Sequence, residues 1–167
     1  LFELIEQSAA RIVARDLAAA MPIIRRSAEL HLDHITQGGD AFELNEARPL
    51  DFGHWAAHKL ESMSTYEIAH GDAVAIGIAL DCEYAVRMKI LSQKDSTRII
   101  ACLQALRLPI WHPMLLQTDQ LLRGLEEFRE HLGGRMNITL LRAIGESTEV
   151  HQIDSGVVAA SAKALAP

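Results

Sequence analysis

Three histidines and a glutamate stand out in the stretch RPLDFGHWAAHKLESMSTYEIAHGDAVAIGIAL, which runs from residue 48 to 80. His54 and His58 are four positions apart, so on a helix they stack one turn above the other, and Glu61 falls a further turn along the same face. Two imidazoles and a carboxylate in a row suit metal binding and proton transfer. The pattern is not the HExxH signature, because Trp55 follows His54 where that motif has glutamate. His70, followed by Gly71 and Asp72, stands where a tight connection would bring it back towards His54. A zinc site with an open catalytic position uses about three protein ligands, often two histidines and a carboxylate. Glu61 and Asp72 both qualify as that carboxylate, and either would equally serve by orienting a histidine from behind.

The elements that must carry these residues are mostly helical. The chain has 167 residues, 49% hydrophobic and 23% charged, which is enough for one domain with its own core. Leu4, Ile5, Ile12, Val13 and Leu17 put a helical period on residues 2–21, with Pro22 marking a boundary before a second helix over 23–37. GGDAFELNEARP then reads as a loop closed by Pro49. A third helix is expected over 50–63 and a fourth over 72–91, apolar almost all round in its first half and therefore central, with Gly77 allowing close approach. A fifth helix, capped by Asp95 or Ser96, ends before Pro109, and a sixth over 117–132 stops at Gly133 and Gly134. Only after residue 135 does the period change, to two short strands around Gly145, followed by a last helix over 155–166. The expected fold is mostly α, a single helical domain over 1–167 with one small hairpin near its C-terminus.

Composition also excludes partners. A net charge of −6 gives no basic footprint for nucleic acid. The longest apolar run, AVAIGIAL, is far too short to span a membrane. Cys82 and Cys102 lie inside helical patterns, where buried free thiols and a reducing cytoplasm are expected. The first residue is Leu1, which suggests a fragment, a processed product or a shortened chain.

The two blocks LDFGHWAAHKLES and HGDAVAIGIAL, at their observed interval, resemble the sugar phosphate cyclases, the superfamily of 3-dehydroquinate synthase. The pattern there is approximately LNFGHTxGHAxE followed by HGEAVAxGM, and LRLPIW and RMNITLLRAIG follow in the same order. The resemblance implies a helical C-terminal domain that binds metal and substrate in an enzyme dependent on NAD and on zinc or cobalt. It implies His54 and His70 as metal ligands, His58 beside the substrate phosphate in proton handling, and Glu61 as support one turn on. A third metal ligand, a glutamate, and the NAD-binding domain precede this region in the family. These residues alone are therefore expected to be catalytically incompetent.

Further positions follow from the resemblance. Asp51 replaces the family's asparagine at the phosphate end of the substrate. Arg48 is the nearest candidate for the arginine before the motif. His31 takes the place of a helical lysine, and Arg129 and His131 stand where a D-K-K segment would be. HWAAHKLE in place of HTxGHAxE marks a divergent branch. The implied chemistry is transient oxidation of a phosphorylated sugar, elimination of phosphate, return of hydride and aldol closure to a carbocycle, in a homodimer. Alternatives are a metal-dependent polyol or alcohol dehydrogenase domain, which would stop after hydride transfer, and a non-catalytic helical interaction domain. His34, His112 and His151 match no motif, and Arg25 and Arg26 read as a solvated helix face.

Overall fold

The computed structural model describes residues 1–37, 49–131 and 136–167. Seven helices and one hairpin follow in the order α1 (Phe2–Val13), α2 (Leu17–Gln37), α3 (His54–Met63), α4 (His70–Arg87), α5 (Gln93–Ala105), α6 (Thr118–His131), β1 (Ile138–Ala143), β2 (Glu146–Val150) and α7 (Ser155–Ala164). Short 3-10 turns at Pro49–Asp51 and Pro113–Leu116 precede α3 and α6. The mostly helical fold with a late hairpin is as expected.

The central element is α4, which packs against α3, α5, α7 and β1. Its alanines at 73, 75, 79 and 85 are buried with Ile76 and Leu80, so neighbours approach on several sides. Leu60 of α3, Leu121 of α6, Ile138 and Leu140 of β1 and Val158 of α7 complete this core. Full burial of each large apolar side chain contributes about 1.5–3 kcal/mol. The close approach expected at Gly77 is made to Gly53, whose carbonyl oxygen would collide with any Cβ added at 77. Gly53 itself has φ +80, and a side chain there would also run into Ile78.

The hairpin pairs Ile138 with Val150 and Leu140 with Thr148 around Gly145, which has φ +87. The Asp154 amide donates to the Tyr84 hydroxyl at 3.0 Å, and Asp154 Oδ1 accepts from Val157 N at 3.0 Å. These two bonds start α7 against α4.

Several boundaries differ from the sequence expectation. Pro22 lies inside α2. The break falls earlier, at Arg15 with φ 61, where Arg15 N bonds to Ile12 O and Asp16 N to Arg11 O. Asp16 then caps α2 by accepting from Ala18 N at 2.9 Å. The third helix begins at His54, because Gly53 in its left-handed conformation separates it from the 3-10 turn. Ser92 caps α5, accepting from Asp95 N at 3.0 Å, whereas Ser96 is fully buried inside the helix. The expected loop over 38–48 and the stop at Gly133 and Gly134 lie outside the described residues.

Candidate metal centre

The site is built where the first residues of α3 and α4 meet. α3 starts at His54, so His58 follows on the same face and Glu61 near the helix end. After α3, Thr65 and Tyr66 both take left-handed conformations (φ 56 and 62), and Ser64 Oγ accepts from Ile68 N at 3.2 Å. This reversal delivers His70 to the start of α4 beside the α3 histidines. The ring centroids lie 5.7 Å apart for His54–His58, 5.5 Å for His54–His70 and 6.0 Å for His58–His70.

Glu61 Oε1 lies 3.1 Å from His70 Nδ1, with the Glu61 side chain only 15% exposed. Donor atoms of His58, Glu61 and His70 all fall within 4.8 Å of one another. Asp72, in the first turn of α4, is not in this trio. His54 joins the group through its ring contacts, and its Nδ1 lies 3.2 Å from Phe52 O. A backbone carbonyl only accepts, so in the neutral ring Nδ1 carries the proton and Nε2 keeps the lone pair. Imidazole nitrogens with one carboxylate are a donor set suited to zinc or cobalt, so these residues fit such an ion.

His58 titrates below ordinary imidazole. Lost hydration contributes most, and positive charge on His54 adds to it; Glu61 and Asp51 pull the other way. Behind the site, Asp81 of α4 is buried and accepts from Trp55 Nε1 at 2.8 Å and from Gly53 N at 2.9 Å. Burial pushes its pKa up to about 7 against these two bonds, which hold it down. A cavity of about 330 Å³ opens on the other side of His58, between Trp55 and Lys59 of α3 and Gly124, Glu127 and Phe128 of α6. Lys59 Nζ and Glu127 Oε1 are ion-paired at 2.6 Å along its wall.

The structure thus gathers His54, His58, Glu61 and His70, with Asp51 near enough to act on His58 electrostatically. Arg48 lies outside the described residues, and His131 is the last residue of α6. Arg129 pairs with Glu126 of its own helix at 2.8 Å, and His31 sits exposed on α2. Sequence reasoning missed Asp81 and the Lys59–Glu127 wall. Their partners lie 26, 28 and 68 positions away, which no local pattern encodes. Of the histidines without a motif, His112 Nδ1 accepts from Met114 N at 3.3 Å, and His151 Nδ1 lies 3.1 Å from Met136 O.

The family profile for the 3-dehydroquinate synthase C-terminal domain matches residues 1–129. The chain belongs to this family. It is 27% identical over 158 residues to the 3-dehydroquinate synthase of Methylococcus capsulatus, covering 94% of this chain and 44% of that enzyme. It is 33% identical over 112 residues to a 2-epi-5-epi-valiolone synthase of Streptomyces albus, covering 67% of this chain and 27% of that one. Among solved structures, the 2-epi-5-epi-valiolone synthase of Streptomyces hygroscopicus subsp. jinggangensis 5008, with NAD+ and Zn2+ bound, superposes with a TM-score of 0.88. That match has 26% identity over 98% of this chain and 45% of the other. The chain therefore spans less than half the length of the relatives it matches.

Proposed function

We propose that this chain is the metal- and substrate-binding domain of an NAD- and metal-dependent sugar phosphate cyclase. The observation that carries the reading is the gathering of His54, His58, Glu61 and His70 at the α3–α4 junction of a family domain. In this reading His54 and His70 would hold a divalent ion, zinc or cobalt. Glu61 accepts from His70 Nδ1 and fixes that tautomer, the usual part of a carboxylate behind a ligating histidine. When bound, the ion supplies Lewis acidity to substrate hydroxyl and carbonyl oxygens, and NAD supplies the hydride acceptor.

His58 has a different task. Its imidazole stands beside both the ligands and the α3–α6 cavity, placed to take up and return a substrate proton. Asp51 lies near enough to His58 to act on it electrostatically, and its negative charge disfavours a phosphate bound directly against it. The phosphorylated end of the sugar is therefore proposed to lie away from Asp51, with Arg48, His31, Arg129 and His131 as candidates to meet it. Buried free thiols at Cys82 and Cys102 support a reducing, cytoplasmic setting. A homodimer is proposed for the whole protein, and sedimentation equilibrium at micromolar concentration checks it.

The test is metal content and turnover of the full-length protein. Stoichiometric zinc, lost in both His54→Ala and His70→Ala, together with NAD-dependent phosphate release from a sugar phosphate, is the expected result. Steady NADH accumulation without phosphate release would indicate a dehydrogenase. Absence of metal would remove the proposal.

A further inference from the structure

Asp81 is the one buried carboxylate among the described residues, 2% exposed on the central helix α4. No basic side chain among the described residues forms an ion pair with it. Both oxygens are instead spent on donors from α3: Oδ1 on Trp55 Nε1 and Oδ2 on Gly53 N. These donors belong to the residues immediately before and after His54. The bond to Gly53 also holds a backbone that has φ +80 and is seated against Gly77 and Ile78. One residue earlier, the Phe52 carbonyl meets His54 Nδ1 at 3.2 Å. The Phe52–Gly53 peptide before His54 and the indole of Trp55 after it are thus fastened by one side chain. Apolar contacts alone would serve to hold α3 on α4, and a buried carboxylate is a costly way to do so. What the carboxylate adds is direction.

We propose that Asp81 is a positioning residue for His54: by clamping Gly53 and Trp55 it keeps the Phe52 carbonyl on His54 Nδ1 and so presents Nε2 as the free acceptor. The proposal deepens the metal-site reading and rests on it for its purpose, though the clamp itself can be tested without metal. In Asp81→Asn the amide keeps one acceptor oxygen and turns an N–H₂ towards the second donor, so half the clamp is lost. Trp55→Phe removes the indole donor and leaves the Gly53 bond. Tyr84→Phe serves as a control: it removes the hydroxyl that accepts from Asp154 N at 3.0 Å elsewhere on α4.

The experiment is nitrogen-detected imidazole NMR on metal-free protein at pH 8, with thermal melting alongside. His54 in the wild type is expected to be a single Nδ1–H tautomer. Asp81→Asn should convert it to a mixture, Trp55→Phe should do so to a smaller degree, and Tyr84→Phe should lower the melting temperature while leaving the tautomer alone. An unchanged His54 tautomer in a folded Asp81→Asn, or in Trp55→Phe if the former does not fold, would overturn the proposal and leave Asp81 a core tie. A Co²⁺ titration of the full-length protein separates the parent reading. There, Asp81→Asn should weaken Co²⁺ binding by about 10–100-fold, as expected for groups that orient ligands. Tautomer shifts without any Co²⁺ binding in the wild type would keep the clamp and discard the metal site.

Discussion

Glu61 and Asp81 are both carboxylates, yet they differ in how far the sequence exposes them. Glu61 lies one helical turn beyond His58, so its place on the face was legible, and the 3.1 Å approach to His70 Nδ1 gives it a partner. Glu61→Gln should retain a hydrogen bond but lose the charge, weakening Zn²⁺ binding by about 10–100-fold. Competition against a chelator measures this, and the loss should be smaller than in His70→Ala. Asp81 was not legible, because a single acid in an apolar helix announces neither its depth nor its donors. Its consequence is a pH effect of unusual sign. The folded pKa, about 7, is raised above the ordinary carboxylate value of 3.8. The folded state therefore holds a proton that the unfolded chain releases, so the stabilisation is complete below about pH 4 and is lost as pH rises to about 7. Urea unfolding at pH 5, 6 and 7 should show wild-type stability falling against Asp81→Asn, by on the order of 1 kcal/mol per pH unit.

The elements were legible where periodicity and close packing spoke, and illegible where helices end without glycine. Helix α4 declared itself central through its alanines, and Gly77 declared its close approach. That contact is testable. A methyl at Gly77 meets the Gly53 carbonyl, whereas one at Gly71 meets nothing within 4 Å. Gly77→Ala should therefore cost about 1–3 kcal/mol, as overpacking does, while Gly71→Ala should stay within about 0.5 kcal/mol of wild type in the same denaturation assay. Helix ends are a different matter. Arg15, Lys89 and Arg107 close α1, α4 and α5 in left-handed conformations (φ 61, 59 and 61). These are positions where glycine is the usual signal, and without it the sequence marks the α1–α2 break at Pro22 and not at Arg15. Lys89 N donates to Val86 O at 2.9 Å and Ile90 N to Ala85 O at 2.8 Å, the pair of hydrogen bonds that turns the chain out of α4. Lys89→Gly should relieve the left-handed strain of about 1–2 kcal/mol, less the entropy glycine adds to the unfolded chain, for a net gain of up to ~1 kcal/mol.

For the whole molecule, the candidate ligands belong to the two helices with the most extensive mutual packing, α3 and α4. An ion held by His54 and His70 would tie the two helices together, so unfolding that separates them would release it. Binding and global unfolding are then linked, because the unfolded chain holds the two histidines sixteen positions apart with no fixed geometry. At free Zn²⁺ one hundred times the dissociation constant, the linkage stabilises the fold by about 2.7 kcal/mol. For a domain of this size each kcal/mol moves the melting temperature by roughly 2–4 °C, so saturation should raise it by about 5–11 °C. Chelation should reverse the shift, and His54→Ala should melt near the metal-free wild type with no response to zinc. A zinc response retained in His54→Ala would move the ion to the closer trio of His58, Glu61 and His70, whose donors already lie within 4.8 Å of one another. In that arrangement the ion would occupy His58, and the proton-handling role would pass to another group at the mouth of the α3–α6 cavity.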